Sequence, residues 1–232
     1  MKNPEITPHD GETAGVNISD SSELLRVAVD MDDTLKPFRA PFIEWYNLNV
    51  GMDIDHTSIT EYNLSVCMGL NGREEVQAFI DRYHEYEAQN QTLALSEEAV
   101  AAMTRLSQYF HFPVISARKC KFKSYTLTQM SMALPHREPE AYHREDYESL
   151  GLTKGKYAKK EIGAIALLDD HVPHVESAID EGIHGILIAD QLNWDYKGRA
   201  ARLESWVQIE EELMRIRELH INGKVSAQHN GG

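Results

Sequence analysis

The sequence predicts an α/β fold: a Rossmann-like parallel sheet with helices on both faces, and a small helical cap inserted after the first strand. Three observations predict it. Four short apolar runs alternate with helical patterns, which is how strands buried on both faces of a parallel sheet read. Three of these runs stop at aspartates and one at a serine, so their polar ends gather at one edge of the sheet, where open α/β sheets bind ligands. The alternation breaks once, between Lys36 and about Leu95, where only helical spacing is found.

The elements follow in order. Residues 1–22 are polar, without an apolar period, and are expected to form a flexible tail. The run 24–29 is the first strand and ends in Asp30-Met31-Asp32-Asp33. The core is expected to take residues 23–35 and 96–220, and the cap residues 36–95. In the cap, Phe38, Phe42, Trp45 and Tyr46 fall at i, i+4, i+7 and i+8, one face of a helix, and a second helical pattern covers 73–87. These aromatics are expected mainly to fill the cap's own core. Phe38, next to the acidic loop, is the first candidate to touch a ligand, and Trp45 the second. A helix at 96–109 leads to a strand at 112–115 ending at Ser116, then helices at 121–133 and 157–162. A strand at 165–168 ends at Asp169-Asp170, a helix covers 172–181, a strand at 185–189 ends at Asp190, and a helix covers 202–219. Residues 221–232 read as a second flexible tail.

Composition limits the function. The chain of 232 residues can bury one sizeable core and carry a small accessory unit. At 42% hydrophobic and 26% charged it reads as a soluble globular protein. Its longest apolar runs, such as 164–168, are too short to span a bilayer, and residues 1–22 lack the apolar stretch of a signal peptide, so a cytoplasmic location is expected. Cys67 and Cys120 are in no metal-binding spacing and are expected as free thiols. A formal charge of −14 argues against nucleic-acid polymers, which need a basic stripe. It leaves room for a small phosphorylated metabolite, whose charge a metal ion and a few cations can meet locally.

Such a substrate suits the carboxylates. Phosphate monoesters need a barrier lowered by more than about 20 kcal/mol, and a carboxylate nucleophile can split the reaction into two steps. Asp30 and Asp32 lie two residues apart at a strand end and Asp169-Asp170 close another, enough hard oxygen donors for Mg2+.

The stretch Val27-Ala28-Val29-Asp30-Met31-Asp32-Asp33-Thr34-Leu35 resembles the first motif of the haloacid dehalogenase (HAD) superfamily. Val114-Ile115-Ser116 resembles the second, Lys156 the third-motif lysine, and Leu167-Leu168-Asp169-Asp170 the fourth. Within that superfamily the chain is most similar to the 5′(3′)-deoxyribonucleotidase-like group, through Asp-Met-Asp, the cap segments 42–47 and 59–62, and 202–206. The resemblance implies a HAD fold and a magnesium-dependent phosphatase that passes through an aspartyl-phosphate. Asp30 would attack phosphorus and bind the metal. Asp32 would protonate the leaving group, activate water and lend its backbone carbonyl to the metal. Asp170 would be the third metal ligand, with Asp169 bound directly or in support. Thr34, Ser116, Ala117 and Lys156 would hold the phosphoryl group, Lys159 being the reserve for Lys156, while Phe38 would stack on a nucleobase and Trp45 is a further candidate to bind substrate. Arg118 would guide the phosphate or stand in a solvated loop. Asp33 departs from the pattern, since glycine is common there.

A nucleoside monophosphate is the expected substrate. The alternatives are a sugar phosphate or other small metabolite, and a catalytically silent HAD-fold binding module. Dehalogenase chemistry is disfavoured by Asp32, which suits an oxygen leaving group. Zinc at His171 and His174 lacks partner spacing, and 151–157 lacks the glycine gap of a P-loop. The sequence leaves open whether the chain is a monomer or a homodimer.

Overall fold

The computed structural model describes residues 24–90 and 95–229, with side chains as far as residue 223. The expected tail at 1–22 lies outside the described residues. Seven strands form one parallel sheet: β1 (Leu25–Val29), β2 (Phe110–His111), β3 (Val114–Ile115), β4 (Ala141–Tyr142), β5 (Ala166–Asp169), β6 (His184–Ile188) and β7 (Ala201–Leu203). Their spatial order is β4-β3-β1-β5-β6-β7, with β2 also paired to β1. The chain leaves β1 to one side for β3 and returns to its other side for β5. Strand order therefore reverses at β1, and its carboxyl end is the switch point where a crevice opens.

Among the described residues there are also eight α-helices: α1 (Arg39–Val50), α2 (Arg73–Asn90), α3 (Glu97–Leu106), α4 (Lys123–Ala133), α5 (Arg144–Glu148), α6 (Lys154–Lys160), α7 (Val172–Asp180) and α8 (Trp206–His229). Strand alternation divides the core in two. Val27 and Val29 of β1 and Ala166 and Leu168 of β5 pack under α3, α4 and α8, against Met103, Met130, Ile209 and Leu213. Ala28 and Leu167 point the other way, against Tyr157 and Ala158 of α6 and Ala178 of α7. Sequence caps set helix starts: Ser96 accepts from Ala99 N before α3, and Thr153 from Lys156 N before α6.

The segment holding α1 and α2 leaves the core after β1 and packs on its own apolar centre of Phe42, Ile43, Tyr46, Met68 and Tyr83. It returns where it left, since Ser96 N donates to Leu35 O at 2.8 Å. No described helix is long and apolar enough to cross a membrane.

Several boundaries differ from the sequence reading. The strand expected at 112–115 is split into β2 and β3 around Pro113, which has no N–H to give a ladder, although its carbonyl accepts from Val29 N at 3.0 Å. β4, β7 and α5 were not expected, being only 2, 3 and 5 residues long. α6 opens at Lys154 rather than Tyr157. The last helix begins at Trp206, after β7, and runs to His229 where a tail from 221 was expected.

Candidate active site

Asp30 follows β1 and Asp169 closes β5, and the pairing of Val29 with Leu168 sets them side by side. Asp30 N donates to Leu168 O at 2.9 Å and holds that register. By alternation Asp30 continues the face of Ala28, and Asp169 that of Leu167. This is the face covered by α6 and α7, so the first turn of α6 meets both carboxylates. Lys154 Nζ lies 2.6 Å from Asp30 Oδ1 and 2.6 Å from Asp169 Oδ2, and the lysine is 2% exposed.

This corrects the choice of lysine. Lys156 and Lys159 do not line the cleft and make no ion pair among the described residues, whereas Lys154 does both. Successive helical residues are 100° apart, so Lys154 and Lys156 point in nearly opposite directions. Thr153 was the available signal: as a helix cap it makes Lys154 the first helical residue.

The carboxylates divide by what neutralises them. Burial would raise Asp169, but Lys154 and then His174 hold it well below the ordinary carboxylate range. Its oxygens also accept from His171 N at 2.9 Å and meet His174 Nδ1 at 3.1 Å. Burial pushes Asp30 up to about 6, with Lys154 opposing and Asp169 and Asp32 adding to the rise. Asp170 is raised by burial and by the charges of Asp169, Asp30 and Asp33. Its closest cation is Arg39 at 3.7 Å, itself shared with Asp33 at 3.2 Å and Asp190 at 2.9 Å.

Three buried carboxylates, two of them sharing one lysine, form a set suited to a divalent cation. One oxygen from each of Asp30, Asp169 and Asp170 lies within 4.8 Å of the others. Ligands of one Mg2+ stand about 3 Å apart when adjacent and about 4.2 Å when opposite, so the side chains would draw together on binding it. The donors are all hard oxygens, as Mg2+ prefers. Asp30 and Asp170 have the least saturated oxygens, and Asp169 is fully engaged by Lys154 and His174. The Asp32 carboxylate stands outside this group.

Asp32 belongs to a second network. Arg118 donates to it through Nη2 at 2.6 Å and Nε at 2.8 Å, while its own Nη1 reaches Gln129 at 3.1 Å. Burial would raise Asp32, but this bidentate partner holds it well below the ordinary range. His84 from α2 stands 3.8 Å away. It also meets Glu87 at 3.1 Å, and Glu87 is paired with Lys36. Asp33, where glycine is common, has φ 56°, a left-handed conformation that aspartate tolerates. Its carboxylate accepts from Phe38 N and Arg39 N at 2.8 and 3.1 Å, so it caps α1.

The cleft above these groups holds about 410 Å³. Phe38, Ala117 and Arg118 line it together with Asp30, Asp32, Asp169 and Asp170. Ser116 is buried beside it and accepts from Arg118 N at 3.2 Å. Thr34 is also buried, and its hydroxyl has no partner among the described residues. Trp45 does not line the cleft, contrary to expectation; it packs on Phe42 and Tyr83 in the insertion. Phe38 is engaged as well, stacked on Phe42 with centroids 5.4 Å apart and set against His84 at 5.2 Å. The sequence reading missed Arg39, His84, Arg73 and Arg144, which lie in no motif. It also missed that Tyr62 reaches across to donate to Asp170 O at 2.9 Å.

No family model matches the chain, and no curated protein matches it. Solved structures do. A protein from Haemophilus somnus 129PT, predicted to be a phosphoglycolate phosphatase, superposes with a TM-score of 0.57 at 13% identity, covering 83% of this chain and 99% of its own. A magnesium-bound protein of Bacillus subtilis described as a HAD-hydrolase, YfnB, gives 0.53 at 12% identity, covering 82% and 98%. A protein of Thermotoga maritima described as a β-phosphoglucomutase gives 0.52 at 14% identity, covering 83% and 99%. The chain therefore has the fold of the HAD hydrolases.

Proposed function

We propose that the protein is a magnesium-dependent phosphomonoesterase acting through an aspartyl-phosphate on Asp30. The observation that carries this reading is Lys154 bridging Asp30 and Asp169, with Asp170 gathered beside them at adjacent strand ends. The structural neighbours are consistent with it: one was solved with magnesium and two are named for reactions of phosphorylated small molecules.

Asp30 and Asp170 would hold the metal, with Asp169 fixing Lys154 behind them. When bound, the ion would neutralise the phosphoryl oxygens and allow the Asp30 carboxylate to approach a dianion. Lys154, with the Ser116 hydroxyl and the backbone around Ala117, would offset the charge that builds on the oxygens in flight. As the bond from Asp30 Oδ to phosphorus forms, the ester P–O bond breaks and the leaving alkoxide takes a proton from Asp32. Arg118 holds the resting Asp32 ionised, so before that step the arginine must loosen its grip and Asp32 must take up a proton from solvent, which it then passes to the alkoxide. An ionised Asp32 is then set to take a proton from the water that cleaves the aspartyl-phosphate. The helical insertion would act as a cap over this chemistry.

For substrate, the small metabolite phosphates are favoured over the nucleoside monophosphates. Phe38 has its ring packed between Phe42 and His84, and Trp45 is outside the cleft, which removes the expected base platform. The test is release of inorganic phosphate, with and without Mg2+, from a panel of nucleotides, sugar phosphates and phosphoglycolate. Metal-dependent release is expected from the small esters, falling at least about a thousandfold in Asp30→Asn. A wild-type protein inert on every ester would replace this reading by a silent binding module, and a strong deoxyribonucleotide preference would restore the nucleotidase.

A further inference from the structure

The cations of the cleft do not all have partners. Five basic side chains other than histidine line it: Arg39, Arg73, Arg118, Arg144 and Lys154. Three are matched by carboxylates of the site, Lys154 by Asp30 and Asp169, Arg118 by Asp32, and Arg39 by Asp33 and Asp190. Arg73, the first residue of α2, makes no ion pair among the described residues. Arg144, the first residue of α5, has only Glu148 at 3.9 Å, a solvent-exposed side chain one turn on.

The two arginines come from opposite walls, Arg73 from the insertion and Arg144 from the core. Arg144 Nη1 donates to Gln77 Oε1 at 2.9 Å, and Gln77 Nε2 donates in turn to Asp81 Oδ1 at 2.8 Å, with Lys119 2.5 Å from the other oxygen. This chain of bonds steadies the Arg144 guanidinium across the seam without neutralising it. Both arginines, with Gln77, Lys154 and His174, also line an adjoining hollow that Glu74 and Glu148 share, whereas neither glutamate lines the cleft itself.

In a chain with a formal charge of −14, a guanidinium without an ion pair and a second held only by a long contact to an exposed glutamate line the same cleft as the nucleophile, and such a pair suits an anion. Guanidinium forks match carboxylate and phosphate oxygens in pairs. The phosphoryl group under attack has its own partners deeper in the cleft. The geometry points to a second anionic subsite formed by Arg73 and Arg144, which makes the substrate a small phosphate ester carrying a further carboxylate or phosphate. As a statement about substrate, this rests on the phosphomonoesterase reading above.

Ethyl phosphate and phosphoglycolate test it, since both are small esters and only the second carries a carboxylate. Their binding is measured by calorimetry on the Asp30→Asn protein, and their turnover on the wild type. Phosphoglycolate is expected to bind at least about tenfold more tightly, the scale of charge-assisted hydrogen bonds. The advantage should shrink below about threefold in Asp30→Asn proteins also carrying Arg73→Gln or Arg144→Gln. Arg73 has no bond that folding depends on, so its variant guards against a misfolded Arg144→Gln. Equal affinity for the two esters, or a preference that survives both changes, overturns the subsite. If the wild type hydrolyses both esters without preference and binds them equally, the subsite falls and the phosphatase stands. If no ester is cleaved yet the arginine-dependent preference persists, the phosphatase falls and the anion site stands.

Discussion

Lys154 shows how much can turn on one side chain. It is buried between two carboxylates, and breaking such a cluster by removing its cation costs about 3–5 kcal/mol, because uncompensated charge stays inside. Lys154→Met is therefore expected to lower stability by about that amount and phosphate release by at least about a hundredfold. Lys156→Ala should change stability by less than about 0.5 kcal/mol. Urea denaturation and phosphate release on the two variants check this, and equal effects would return the role to Lys156. The carboxylates were legible in the sequence because each ends an apolar run. The lysine was not, because four lysines lie within seven positions and an error in the helix start turns the wrong one inward. Arg118 was legible only as a charge near Ser116, since nothing local says that it will meet Asp32, 86 residues away.

The same asymmetry holds for the elements. β1, β5 and β6 were readable as apolar runs buried on both faces, and α3 and α7 as periodic patterns between them. β4, β7 and α5 are too short to carry a period, and they form only because neighbouring strands and helices give them partners. The seat of α6 against α7 depends on a residue with no side chain. A Cβ on Gly155 would stand 2.3 Å from Ala178 N and 2.5 Å from Ser177 C, both backbone atoms that cannot turn aside. Gly155→Ala should push α6 away from α7, costing about 1–3 kcal/mol. It should also carry Lys154 off Asp30, so that phosphate release falls further than the lost stability alone would account for. Denaturation midpoints measured beside activity at a temperature where the variant stays folded separate the two effects.

At the scale of the whole molecule, the sheet reverses its order at β1 and so brings carboxylates from separate strands together with too few cations. If the proposed Mg2+ binds there, that imbalance predicts a stability that depends on the metal. Mg2+ at about a hundred times its Kd should add about 2.7 kcal/mol, a rise of roughly 5–10 °C in melting temperature over the protein in EDTA. Asp170→Asn, which removes one buried charge, should melt no lower than wild type in EDTA yet gain little from Mg2+. Thermal melts of both proteins in the two buffers decide it, and an identical Mg2+ shift in the variant would remove Asp170 from the metal's shell.

The backbone bond between Ser96 and Leu35 bears on how such a molecule changes over time. The two ends of the insertion meet at this one pair of residues, so a shorter, longer or foreign segment joined there meets almost the same closure cost, which grows only slowly with loop length. The carboxylates at the strand ends and the wall that the insertion lays over them can accordingly diverge at separate rates, one held fast by the sheet and the other free to be exchanged.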